Sequence, residues 1–137
     1  MPTLDGITET ALYVDDLPRA VEFYRSVFEL EVLRSDVRFC ALNVGNRQVL
    51  LLFQRGASTS PVPIPGGMIP PHDGAGPAHV GFAIAASSLG EWETRLREKK
   101  IPIESRVTWP LGGTSLYFRD PDGHAVELLT PGVWKIY

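Results

Sequence analysis

The chain has 137 residues and a net charge of −3, with 44% hydrophobic and 21% charged residues, an ordinary globular composition. That length suits one domain or two small, closely packed modules. The acidic balance offers no basic face for nucleic acid, and no apolar run approaches the ~20 residues of a membrane-spanning helix.

A single cysteine, Cys40, excludes an intrachain disulfide. The N-terminal MPTLDGITET has neither the basic segment nor the apolar core of a secretory signal, so a cytoplasmic protein is expected.

In chain order, residues 7–14 (ITETALYV) alternate as a strand, with Thr10, Leu12 and Val14 on one face and Glu9, Ala11 and Tyr13 on the other. A helix follows. Asp16 can cap it and Pro18 suits its first turn. Leu17, Ala20, Val21, Tyr24, Val27 and Phe28 recur at helical spacing. Strands are expected over 31–35, 39–44 and 48–54, with Gly45-Asn46 as a hairpin turn because both residues tolerate positive φ.

Residues 55–77 are rich in Gly, Pro and Ser and show no helix or strand period, so a linker or lid is expected there. Residues 78–84 (AHVGFAI) then alternate again. Ser88 with Glu91 spells a capping box for a second helix, with Leu89, Trp92 and Leu96 on one face. Further strands are expected near 103–108, 115–118 and 125–129. Between the last two, Asp120-Pro121-Asp122-Gly123 reads as a tight turn: Pro121 presets a negative φ and Gly123 accepts a positive one.

The order β-α-β-β-β thus occurs twice. Glu9 falls on His79, Leu12 on Phe82 and Val14 on Ile84. Laying QVLLLF on AVELLT places Leu50 opposite Glu127. If Leu12, Val14, Phe82, Ile84, Val126 and Leu128 pack inward, strand parity is expected to put Glu9, His79 and Glu127 on one shared surface. Small residues (Ala11, Gly81, Ala83, Ala125) lie between them and leave a hollow. A carboxylate within the apolar strand AVELL requires compensation by a partner or a cation. One imidazole and two carboxylates suit a divalent ion such as zinc, manganese, nickel or ferrous iron.

The segments ALYVDDLPRAVEFYRSVFELEVL, HVGFAI and SLYFRDPDGHAVELLT resemble the vicinal oxygen chelate superfamily, the glyoxalase, bleomycin-resistance, fosfomycin-resistance and extradiol-dioxygenase group. The resemblance covers nearly the whole chain. It implies an α+β fold in which two βαβββ modules form a cupped, barrel-like mixed sheet. The chain then reads as a single 1–137 domain, with module 1 over about 5–55, the linker or lid over 56–77 and module 2 over about 78–131.

The superfamily's metal positions, carried over, land on Glu9, His79 and Glu127. Two departures are visible. Glu9 stands where His or Gln is frequent, and a fourth ligand position falls at or near Leu50, which cannot coordinate.

The resemblance implies a metal-dependent enzyme acting on a small oxygen-rich molecule by isomerase, lyase or addition chemistry. Glu127 or Glu9 would act as the base and Tyr117 as a hydrogen-bond donor. A homodimer is implied as well. The alternative is a metal-free protein that sequesters a small molecule.

Individual residues have plainer readings. Glu127 could pair with an arginine, His79 could be structural, and Glu9 could end a strand in solvent. Tyr117 could be a half-buried strand tyrosine that touches no substrate. Trp109 and Trp134 could wall a pocket or a dimer seam. Arg119 is expected to partner Asp120 or Asp122, Cys40 to be buried and inert, and His72 and His124 to lie on the surface.

Overall fold

The computed structural model describes residues 1–137. The chain divides into two compact units, Met1–Gly76 and Pro77–Tyr137.

Unit 1 contains β1 (Glu9–Val14), α1 (Leu17–Phe28), β2 (Val32–Ser35), β3 (Phe39–Val44), β4 (Gln48–Gln54) and a small hairpin, β5 (Val62–Ile64) with β6 (Gly67–Ile69). Unit 2 contains β7 (His79–Ala83), α2 (Leu89–Glu98), β8 (Ser105–Thr108), β9 (Thr114–Arg119) and β10 (Ala125–Leu129). The repeated βαβββ order is therefore present, in a mixed α+β fold. Each unit forms an open four-stranded sheet, in the orders β1-β4-β3-β2 and β7-β10-β9-β8. In each, the first strand runs parallel to the last, and the remaining pairs are antiparallel.

Helix α1 forms for the reasons its sequence gives. The Asp16 side chain accepts a hydrogen bond from the Arg19 amide at 3.1 Å, and Pro18 occupies the first turn. Leu17, Ala20, Tyr24 and Val27 are buried, the helix packs on β3 and β4, and Leu12 and Val14 of β1 and Leu50 and Leu52 of β4 are buried in the same unit. Each fully buried leucine contributes about 1.5–3 kcal/mol. The hairpin between β3 and β4 turns through Gly45 at φ 63° and Asn46 at φ 57°.

In unit 2 the buried apolar residues are Ile84, Leu96 of α2, and Leu116, Phe118, Val126 and Leu128 of the sheet. The Asp120–Gly123 turn closes as expected. Asp120 Oδ1 accepts from the amides of Asp122 and His124 at 3.0 and 2.9 Å, and Gly123 has φ 79°.

Several expectations are corrected. Ser88 forms no capping box: a short 3₁₀ turn over Ala86–Ser88 precedes α2, and the Ser88 hydroxyl donates to the Ala85 carbonyl instead. His124 is not a surface residue; it is 1% exposed, and its Nδ1 accepts the Ala78 amide hydrogen at 2.8 Å. Arg119 pairs with Glu104 at 2.6 Å and donates to the Gly123 carbonyl at 3.0 Å, rather than pairing with a turn aspartate.

The 55–77 segment contains the β5–β6 hairpin and is tied to unit 1. Arg55 donates to the Gly74 carbonyl at 3.0 Å, and the His72 amide donates to the Ser58 carbonyl at 2.9 Å. A Cβ at Gly74 would stand 2.5 Å from Tyr13 Cδ2, so only glycine lets the backbone lie this close to that ring.

The last correction concerns register. Glu9 pairs with Val49 across β1–β4, and His79 pairs with Ala125 across β7–β10. Matching Glu9 to His79 therefore matches Leu51 to Glu127, not Leu50. Leu50 is 2% exposed in the core, whereas Leu51 lines a cavity on the other face.

Candidate functional site

On unit 2, alternation along β7, β9 and β10 brings His79, Gly81, Ser115, Tyr117 and Glu127 to one sheet face. Glu127 lies beside Gly81 across one ladder and Tyr117 across the other. Glu127 is buried, and its compensation is specific: Oε2 accepts from Ser115 Oγ at 2.5 Å, and Oε1 faces His79 Nε2 at 3.1 Å. Its partners are thus a histidine and a serine, not an arginine. The Ser115 hydroxyl in turn accepts the indole hydrogen of Trp109 at 2.8 Å, so Trp109 belongs to this network. Trp134 is 65% exposed.

His79 is oriented from behind. Its Nδ1 lies 2.9 Å from the Ala125 carbonyl, a contact that requires hydrogen on Nδ1. Neutral imidazole then presents a bare lone pair at Nε2, aimed at a carboxylate oxygen. Two lone pairs repel. The contact becomes attractive when Nε2 carries a second proton or when a cation shares both donors. The His79 side chain is 53% exposed, so the pair is open to an ion or ligand arriving from solvent.

Tyr117 stacks against the imidazole, with centroids 6.1 Å apart and 29° between planes. Burial, and next the Glu127 charge, hold its phenol above the ordinary tyrosine pKa, so it stays protonated and can donate. A Cβ at Gly81 would stand 3.6 Å from Glu127 Oε1, so the glycine keeps open the space beside that oxygen.

On unit 1 the equivalent face carries Glu9, Ala11 and Tyr13 of β1 beside Leu51 and Phe53 of β4. These border a cavity of about 570 Å³. Its floor is aromatic: Tyr13, Phe53 and Phe39 stack in series with centroids 5.8 and 5.7 Å apart. His72 closes one side, edge-on to Phe53 at 4.5 Å and hydrogen-bonded through Nδ1 to the Tyr13 hydroxyl at 2.6 Å. Burial and then the Asp73 charge raise the Tyr13 pKa, which keeps the phenol protonated. His72, expected at the surface, is therefore half-buried in a cavity wall.

Within unit 2 the donor set fits two ligands of a divalent cation: a histidine with its far nitrogen anchored to a carbonyl, facing a carboxylate with one oxygen anchored to a hydroxyl. Such outer contacts are what orient metal ligands. Neither unit alone gathers three His, Cys, Asp or Glu side chains. Parity with Tyr117 places Ser115 on this face from sequence alone, but the bonds by which Ser115, Trp109 and His124 support the site were not recognisable. His124 acts through a backbone contact that sequence does not display.

Known proteins corroborate this architecture. The chain is 37% identical to a lactoylglutathione lyase from Agrobacterium tumefaciens, covering 98% of this chain and 99% of that one with a TM-score of 0.88. It is 32% identical over 135 residues to biphenyl-2,3-diol 1,2-dioxygenase 3 of Rhodococcus globerulus, spanning 64% of that enzyme. It is 24% identical over 128 residues to the metallothiol transferase FosB of Staphylococcus haemolyticus, spanning 84% of it. The profile of the Glyoxalase/Bleomycin resistance protein/Dioxygenase superfamily matches residues 6–128, and the chain belongs to that superfamily.

Proposed function

We propose that this protein is a divalent-metal-dependent enzyme acting on a small oxygen-rich substrate, by isomerase, lyase or addition chemistry. His79 and Glu127 would hold the ion, with Glu9, at the matching position of the first repeat, as the third protein ligand. One observation carries the reading: His79 Nε2, on a ring oriented by the Nδ1–Ala125 carbonyl contact, faces a buried carboxylate oxygen at 3.1 Å.

A bound divalent ion supplies Lewis acidity to substrate oxygens and stabilises negative charge developing there. The chain's own residues supply the rest. Ser115, itself held by Trp109, fixes Oε2 of Glu127; Oε1, the oxygen that would face the ion, would accept a substrate proton by leaving the ion transiently. Glu9 is the other candidate base. Tyr117, held protonated, can donate a hydrogen bond to a substrate oxygen. A homodimer in the cytoplasm is carried as part of the same reading.

The test is a thermal titration of chelator-treated protein with zinc, manganese, nickel and ferrous ions. At a hundredfold excess over Kd, an ion bound only by the folded state adds about 2.7 kcal/mol, a rise in Tm of several degrees. The rise should vanish in Glu127→Ala and His79→Ala. No rise with any ion, or an equal rise in both variants, rules the metal reading out.

A second reading has its own support. The apolar cavity of unit 1, with Leu51 where the other repeat has Glu127, suits a protein that sequesters a small molecule without chemistry. Retained small-molecule binding with no ion response would favour it.

A further inference from the structure

We propose that unit 1 contains a binding site for a small planar molecule bearing a carboxylate, the ring lying on the Tyr13–Phe53–Phe39 floor and the carboxylate meeting Arg38. The inference goes beyond the metal reading and stands on unit 1 alone.

Arg38 borders the cavity half-buried. Its guanidinium carbon lies 5.0 Å above the Phe39 ring and 5.9 Å from that of Phe53. Its Nη1 donates to the Ser58 hydroxyl at 3.1 Å, and no carboxylate is paired with it. A guanidinium offers five donors in a planar fork, so one neutral hydroxyl leaves most of that capacity unused. An anionic oxygen pair on a ligand matches the fork. The flat rings beside it match a flat ligand body.

The cavity also has polarity. Phe39 pairs with Phe53, and Phe53 with Tyr13, so Arg38 sits at the Tyr13 end of the sheet. Glu9 lies four residues away along β1, about 13 Å at strand rise, at the other end. An anion is therefore drawn to one end and repelled from the other, which fixes the ligand's direction. His72 borders the same cavity, held by its Nδ1–Tyr13 hydroxyl contact at 2.6 Å.

The experiment is calorimetric titration of the chelator-treated full chain with 2-naphthoate, its neutral isostere 2-naphthamide and the non-planar cyclohexanecarboxylate. Charge-assisted pairing predicts naphthoate binding about tenfold or more tighter than naphthamide, and cyclohexanecarboxylate weaker than naphthoate. In Arg38→Met the naphthoate preference should disappear, and in Arg38→Lys it should survive in part. In Glu127→Ala it should persist, because Glu127 is not among the residues that line this cavity. A failed ion titration with an intact naphthoate preference thus sinks the metal reading alone.

Equal binding of acid and amide, no binding of either, or a preference surviving in Arg38→Met overturns the proposal. Should Arg38→Met not fold, nuclear Overhauser contacts between naphthoate and the Tyr13 and Phe53 rings of the unaltered protein decide it: present in support, absent against.

Discussion

Glu127 is anchored at one oxygen by the Ser115 hydroxyl and left facing His79 with the other. Ser115→Ala should therefore do two things. It removes a partner from a buried carboxylate and from the Trp109 indole, which costs about 1–3 kcal/mol of stability and lowers the denaturation midpoint. It also frees Glu127 to rotate, which should weaken ion affinity about 10–100-fold, as loss of an outer-shell contact does. Denaturant unfolding and ion titration of the same variant check both; an unchanged ion affinity would mean that Ser115 serves only the fold.

At the scale of elements, the repeated strands and helices were legible because each carries a local signal: period-two alternation in β1 and β7, helical spacing and the Asp16 cap in α1, the Asp-Pro-Asp-Gly turn before β10. The register of β4 was not. QVLLLF offers three consecutive leucines with no polar residue among them to mark a face, so a slip of one residue is hard to see in sequence yet moves every side chain to the opposite face. The ladder resolves it by burying Leu50 and turning Leu51 to the cavity.

That register predicts unequal substitutions. Leu50→Ala, in the core, should cost about 2–5 kcal/mol. Leu51→Ala, half-buried at a cavity, should cost distinctly less. Chemical denaturation of the two variants checks this, and the reverse order would restore the original alignment. The Ser88 capping box failed for a related reason. The motif supplies donors and acceptors but not the backbone geometry, and here the chain enters α2 through a tighter turn.

At the scale of the whole molecule, one supersecondary unit is used twice with different chemistry on the equivalent face. Unit 2 carries a histidine–carboxylate pair, and unit 1 an aromatic floor with an arginine and Glu9 at opposite ends. Parity on an alternating strand told which residues share a face, so His79, Glu127, Tyr117 and Glu9 could be named. It could not give the contacts that settle their roles: the Ala125 carbonyl behind His79, the Ser115–Trp109 chain behind Glu127, and the His72–Tyr13 bond that draws the 55–77 segment onto unit 1. Those come from backbone positions and long-range packing that no local pattern encodes.

X-ray absorption of the zinc-loaded protein reads the ion's neighbours directly. An imidazole scattering signature together with oxygen ligands, the imidazole signal lost in His79→Ala, is the predicted spectrum. A zinc ion surrounded by oxygen alone, or an imidazole signal unaltered in that variant, would mean that His79 and Glu127 form an internal pair and nothing more.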